Sequence, residues 1–196
     1  MPSPRQVVLA STSKYRRGLL ERLRLPFECA DPQVGEASLA GELPAATALR
    51  LAESKARAVA VRFPGALVIG SDQVASCDGV RLDKPGGHAK AVQQLTLVSG
   101  KTASFDTAVA VLDAKSAVLR SRVVPCNVTF RNLTPALIER YLRVEQPYDC
   151  AGSAKAEGLG IALIARIETQ DPTSLIGLPL IALTELLGEA GLNLLT

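Results

Sequence analysis

The sequence predicts an α/β fold, with a mixed, partly antiparallel, elongated sheet flanked by helices and two lobes around a cleft. Three observations carry this. Short apolar runs bounded by turn residues alternate with longer segments of helical periodicity. A hairpin signal, Asp78-Gly79, and two long strand-like segments, 102–112 and 117–130, interrupt that alternation, and a strictly parallel doubly wound sheet leaves no place for them. The chain has 196 residues, 47% of them hydrophobic, enough for a full core without disulfides. It shows no internal repeat and no low-complexity linker, so a single domain over 1–196 is expected.

Taken in order, 6–10 reads as a short strand. Ser11-Thr12-Ser13 supplies N-cap candidates for a helix over 14–24, with Leu19, Leu20 and Leu23 as its buried stripe. A second strand is expected over 27–30, then a loop over 31–44 rich in Gly, Pro and acid. A helix follows over 45–62, with Leu49, Ala52, Ala56, Val59 and Ala60 at helical spacing. Pro64-Gly65 ends it, and 66–70 is an apolar strand. Strands over 73–77 and 80–82 flank the Asp78-Gly79 turn. Gly86-Gly87 opens a helix carrying Ala89, Val92, Leu95 and Val98. Thr134-Pro135 starts another, because Thr caps well and Pro suits a first turn. A polar, glycine-bearing loop over 148–160, a strand over 161–167 and a helix over 179–188 complete the chain.

Composition excludes some roles. A formal charge of +3 is too small to indicate nucleic-acid binding by electrostatics. No stretch reaches the ~18 apolar residues of a membrane span, and Met1-Pro2-Ser3-Pro4-Arg5 shows no signal-peptide pattern. Cys29, Cys77, Cys126 and Cys150 form no CxxC pair and fit free thiols in a reducing cytoplasm. His88, the single histidine, reads as a surface residue at a helix start.

The chemistry is concentrated in a few segments. Leu67-Val68-Ile69-Gly70-Ser71-Asp72-Gln73 is an apolar run ending in an acid, and open α/β sheets bind ligands at the carboxyl ends of strands. Asp72 is therefore a candidate general base, or a carboxylate holding a divalent metal; the alternative is an Asp closing a turn. In Ser11 to Arg17, backbone N–H groups at a helix start, with Arg16 and Arg17 near them, suit phosphate oxygens; the alternative is a capped helix with a solvated basic face. It is not a Walker loop, since the glycines and the G-K-[ST] ending are missing. Lys84, held extended by Pro85, and Lys55, at the edge of an apolar stripe, are further cations, unless Lys55 only snorkels to water. Glu36 could share a metal with Asp72, since Mg²⁺ is usually held by one or two carboxylates plus phosphates. Gly152 to Gly158 contains glycines that permit close backbone approach, with Lys155 and Glu157 as ligand candidates; a flexible surface loop is the other reading.

Together these segments resemble the Maf family of nucleoside triphosphate pyrophosphatases, also called septum formation inhibitor proteins. The matching pieces are Leu9-Ala10-Ser11-Thr12-Ser13 with Arg16-Arg17, Leu67 to Gln73, Asp83-Lys84-Pro85, Leu97-Val98-Ser99-Gly100, Cys150-Ala151-Gly152-Ser153 with Glu157-Gly158, and Gly177-Leu178-Pro179-Leu180. The resemblance implies a fold like that of the inosine triphosphate pyrophosphatases. It implies hydrolysis of the α–β anhydride of a nucleoside triphosphate, with Mg²⁺ or Mn²⁺ as cofactor, and a possible homodimer. Ser71-Asp72-Gln73 and Glu157 resemble the 7-methylguanosine triphosphate branch rather than the dTTP/UTP branch. That resemblance makes Asp72 the proton acceptor and Tyr15, Gln73 and Glu157 the residues of substrate choice. With that activity, Ser11, Ser13, Arg16, Arg17, Lys55 and Lys84 are the expected phosphate-binding residues. A 7-methylguanine carries positive charge, so Tyr15 stacked on it would add about 0.5–2 kcal/mol of cation–π attraction. Tyr15 stands where that branch commonly has Trp, and Lys14 where the family often has Pro; the smaller ring implies a broader preference. Two alternatives remain: the pyrimidine branch, and a nucleotide-binding regulator of cell division with little catalysis.

Overall fold

The computed structural model describes residues 5–195; the expected lead-in over 1–4 lies outside them. The elements in chain order are β1 (Val7–Leu9), α1 (Lys14–Glu21), β2 (Glu28–Cys29), α2 (Pro44–Ala60), β3 (Leu67–Cys77), β4 (Val80–Arg81), α3 (His88–Val98), β5 (Thr102–Asp113), β6 (Val118–Phe130), α4 (Pro135–Glu145), β7 (Ile164–Thr169) and α5 (Leu180–Glu189). The strand order is β2-β1-β3-β5-β6-β7, with β4 on β3. β1 pairs in parallel with β2 and β3, whereas β3–β4 and β6–β7 are antiparallel. The mixed sheet with flanking helices is the expected class. No helix among the described residues is long and apolar enough to cross a membrane, and all four cysteines are free.

The chain divides into two compact units, Met1–Gln73 with Thr107–Val124 and Asp171–Thr196, and Val74–Asp106 with Pro125–Gln170. β3, β5 and β6 contribute residues to both. In the first unit, alternate residues of the strands build one core face: Val7 and Leu9, Leu67 and Ile69, Val109 and Val111. Leu19 and Leu20 of α1 and Leu183, Leu186 and Leu187 of α5 belong to the same cluster. The opposite parity, Val8 and Val68, is equally buried, as in a strand covered on both faces. In the second unit α3 packs on α4. Their buried faces are Ala91, Leu95 and Val98, and Ile138, Tyr141 and Leu142.

Several expectations are corrected. The strands expected over 66–70 and 73–77 are one continuous strand, β3. Its polar centre, Ser71-Asp72, reads as a loop only because the partners of those side chains are distant in sequence. α1 ends early, with Arg22 as its C-cap and Arg24 in the left-handed region at φ 54° just before Leu25-Pro26. Leu23 only packs on the edge of the core. On α2 the buried positions include Ala48 and Leu51 while Leu49 is half-buried, which rotates the stripe onto Lys55. On α3 the buried set is Ala91, Gln94, Leu95 and Val98, and Ala89 is exposed. The expected strand over 161–167 begins only at Ile164, because Leu159–Leu163 forms a 3₁₀ turn.

Candidate active site

The site starts from the parity of β3. Val68, Gly70 and Asp72 share one face, and Leu67, Ile69, Ser71 and Gln73 the other. Gly70 is the point at which α2 comes closest. A Cβ there would overlap the Ala52 carbonyl and lie 2.8 Å from Ala56 N. Lys55 stands between these two contacts in α2, on the same helical face. Two residues beyond Gly70 on the same strand face is Asp72, and Lys55 Nζ donates to its Oδ1 at 2.6 Å. Lys55 is 3% exposed and Asp72 6%. Asp72 is thus mid-strand, not at a strand's carboxyl tip, and it is an internal ion-pair partner. A buried carboxylate requires such a partner, since an unpaired charge would be neutralised or expelled. Lys55 Nζ also donates to Glu36 Oε1, so both candidate metal ligands converge on one ammonium. Glu36 is brought in by the loop after β2. Arg50 of α2 grips that loop through Glu42, with Nε and Nη2 each 2.7 Å from one carboxylate oxygen, and donates to Ala37 O at 3.0 Å. That guanidinium pulls the Glu42 carboxyl down to about 2.

The other face of β3 is held by the turn over 171–177. The Ser71 hydroxyl lies 2.8 Å from Ala108 O and 2.9 Å from Gly177 O. Arg16 Nε donates to the same Gly177 carbonyl at 2.8 Å. Burial lowers the Arg16 guanidinium below its ordinary value, and the negative charges of Asp72 and Glu36 oppose that shift. Asp72, Glu36 and Lys55 therefore form one hydrogen-bonded cluster, and the charge of Asp72 acts on both Arg16 and Arg50. Gln73 Nε2 donates to Thr107 Oγ1, Ser174 O and Leu175 O at 2.9, 3.0 and 3.1 Å. The turn is fixed by Asp171, whose Oδ1 accepts from Thr173 N at 3.0 Å and whose Oδ2 accepts from Ile181 N at 2.7 Å in the first turn of α5. Asp171, Glu42 and Arg50 carry no motif that singles them out, and the motif that contains Ser71 gives no sign of its partners Ala108 and Gly177. Only the run Asp171-Pro172-Thr173-Ser174 just before a helix signals a structured turn.

The amino-terminal segment is partly as expected. Ser13 is the N-cap of α1, accepting from Arg16 N at 3.4 Å. Ser11 is buried and its Oγ accepts from Ser13 N at 3.1 Å. Of the paired arginines, Arg16 feels the charges of Asp72 and Glu36. Arg17 points along the exposed face of α1 to Glu21, 3.0 Å away. Tyr15 is half-buried and Lys14 Nζ lies 4.9 Å from its ring centroid, so a cation already faces it.

The second unit holds the remaining candidates. Lys84 is exposed ahead of the buried Pro85. Glu157 is exposed. Lys155 pairs with Glu145 Oε1 at 2.8 Å. The backbone freedom of Gly152, at φ 69°, serves packing: a Cβ would sit 3.2 Å from the Phe105 ring. His88 is a surface residue, 3.0 Å from Tyr148 Oη and 3.1 Å from Glu139 Oε2.

The fold is a mixed α/β sheet in which a buried acid, Asp72, is paired with a buried lysine, Lys55. The chain belongs to the Maf family: the family description "Maf-like protein" matches residues 6–190. It is 56% identical over 190 residues to the 7-methyl-GTP pyrophosphatase of Cupriavidus pinatubonensis, covering 97% of this chain and 95% of that one. It is 57% identical over 193 residues to the 7-methyl-GTP pyrophosphatase of Polaromonas sp., covering 98% and 88%. A third relative so named, from Nitrosospira multiformis, is 52% identical over 189 residues, covering 96% of each.

Proposed function

We propose that this protein is a nucleoside triphosphate pyrophosphatase that cleaves the α–β phosphoanhydride of 7-methyl-GTP, giving 7-methyl-GMP and pyrophosphate. The near full-length similarity to proteins of that name supports the substrate. The observation that carries the chemistry is the buried Asp72, held by Lys55 with Arg16 beside it.

Lys55 occupies one oxygen of Asp72, and the carboxylate keeps a second for a proton. In this reading Asp72 takes the proton of a water whose oxygen bonds to the attacked phosphorus. The anhydride bond breaks and the pyrophosphate leaves with its electron pair. Arg16, Lys55, Arg17 and Lys84 neutralise the growing phosphate charge; Arg17 and Lys84, being exposed, contribute least. Ser11 and Ser13 help by fixing the start of α1, where backbone N–H groups face an anion. The residues suit a divalent cation: Glu36 and Asp72 converge on one cationic group. No cluster of three or more His, Cys, Asp or Glu fit to hold a metal occurs among the described residues. Such a site leaves most of the coordination shell to phosphate oxygens and water, as Mg²⁺ prefers. When bound, Mg²⁺ or Mn²⁺ supplies phosphate neutralisation and a more acidic water.

Tyr15 stacks on the methylated base, Gln73 lines it, and Glu157 accepts from the guanine N1–H and N2 amine. The role is removal of modified nucleotides before a polymerase uses them, in the cytoplasm and as a homodimer. The test is pyrophosphate release from 7-methyl-GTP, GTP, dTTP and UTP with Mg²⁺ or Mn²⁺. 7-Methyl-GTP should be turned over fastest. Asp72→Asn, which retains an oxygen for Lys55, should lose about 10²–10⁴ of that rate with an unchanged circular dichroism spectrum. Equal, negligible turnover of all four nucleotides rejects the reading.

A further inference from the structure

We infer that Glu145 is a positioning residue for substrate choice: it fixes, from both flanks, the five-residue segment at whose centre Glu157 stands. The inference rests on the reading above, in which Glu157 contacts the base.

Glu157 is exposed, so burial does not set its direction. The backbone on either side of it does. Glu145, the last residue of α4, has a side chain only 13% exposed, with both oxygens committed. Oε1 accepts from Lys155 Nζ at 2.8 Å, two residues before Glu157. Oε2 accepts from Leu159 N at 2.7 Å, two residues after it. One helical turn earlier, the Tyr141 hydroxyl accepts from Lys155 N at 3.1 Å. Two glycines make the fit close. A Cβ on Gly158 would lie 2.9 Å from each Glu145 oxygen, and a Cβ on Gly160 would lie 2.6 Å from the Lys155 backbone. The segment is therefore gripped at three hydrogen bonds and two close approaches within six residues. A surface loop without a task needs none of this, because its backbone groups are satisfied by water. Lys155 is also drawn in by Glu145 and feels the charge of Glu157, so the grip holds a cation beside the acid that is to accept hydrogen bonds. An error of about 1 Å in a binding group can cost a hundredfold in rate, which makes such anchoring matter for a carboxylate that must meet two donors at once.

The experiment measures kcat and KM for 7-methyl-GTP and UTP with the full-length protein. The variants are Glu157→Gln, Glu145→Gln, Gly158→Ala and the Glu145→Gln/Glu157→Gln double substitution. Glu145→Gln turns one acceptor into a donor; Gly158→Ala pushes on the same grip while leaving Glu145 intact, and serves if the first variant folds poorly. Each single substitution should lower the 7-methyl-GTP over UTP ratio of kcat/KM by about 10- to 100-fold, mainly through KM. The double variant should match Glu157→Gln alone within about twofold, since Glu145 acts only through Glu157. A merely structural role would lower both nucleotides together and leave the ratio unchanged. The inference is overturned if Glu145→Gln and Gly158→Ala keep the wild-type ratio, if Glu157→Gln itself has no effect on it, or if the double loss is the product of the single losses. Failure of the wild type to release pyrophosphate from 7-methyl-GTP overturns the functional reading first and this inference with it.

Discussion

Asp72 and Glu157 are both acids with a proposed part in one reaction, yet the protein holds them in opposite ways. Asp72 sits inside the first unit, mid-strand, and its own carboxylate is the anchored group: Lys55 reaches it directly from α2. Glu157 stands exposed in the second unit, and what is anchored is the chain around it, through Glu145, Lys155 and Leu159. Under the proposed function, the difference follows from what each would do. A proton acceptor works best among fixed charges with little water, where electrostatic interactions are strong. An acid that reads a base has to present free lone pairs, so its side chain cannot be consumed by internal partners. Direct anchoring suits the first task and indirect anchoring the second. Glu36 lies between them: its carboxylate touches Lys55 but is 59% exposed, and its loop is steadied by Arg50 and Glu42.

The largest expected effect comes from breaking the direct anchor. Lys55→Met leaves Asp72 a buried carboxylate without its ammonium. Removing one partner of a buried pair costs about 3–5 kcal/mol, so the midpoint of denaturant unfolding should fall sharply. Pyrophosphate release should fall with it even at temperatures where the variant remains folded. A Lys55→Met protein with wild-type unfolding and turnover would show that the pair does not hold the acid.

The residues in this comparison were legible to different degrees, for a physical reason. Asp72 stood out because an apolar run delivers it, and the caps Ser13 and Thr134 because their partners lie three residues away. Lys55 looked like an edge residue of a helical stripe, since its partners Glu36 and Asp72 are 19 and 17 residues distant and no local pattern encodes them. The same long range hid the continuity of β3. Ser71 and Asp72 look like turn residues in sequence, and only Gly177, Ala108 and Lys55 make them affordable inside a strand. No local pattern marks Glu145, because the segment it grips begins ten residues later.

A smaller effect tests how α2 brings Lys55 to Asp72. Gly70→Ala puts a methyl into the Ala52 and Ala56 backbone, which cannot yield as a flexible side chain would. Overpacking of this kind costs about 1–3 kcal/mol, or roughly 2–4 °C of Tm per kcal/mol for a chain of this size. Activity should drop as well, because moving α2 outward draws Lys55 off Asp72. Gly18→Ala is the control: nothing lies within 4 Å of a Cβ there, and in a helix interior the change should stabilise by about 0.4–1 kcal/mol. If both substitutions shift Tm alike, the close approach at Gly70 is not what seats the helix.

The smallest effect concerns the intermediate case, the loop that carries Glu36. Glu42 accepts from both Arg50 nitrogens, from Thr47 Oγ1 at 2.8 Å and from Leu39 N at 3.1 Å. Its carboxyl is pulled from 4.5 down to about 2, first by the Arg50 hydrogen bonds. A group whose value is depressed on folding favours the folded state fully above its unfolded value, and that contribution fades as pH falls toward the folded value. The Glu42 contribution should therefore be complete above about 4.5 and decline between 4.5 and 2. Glu42→Gln cannot ionise, so the Tm gap between wild type and variant should be widest near neutral pH and narrow through that window. A gap of constant width down to the acid end would mean that Glu42 holds the loop by shape rather than by charge. In that case Glu36 would be steadied without electrostatics, and would resemble Glu157 less than its exposure suggests.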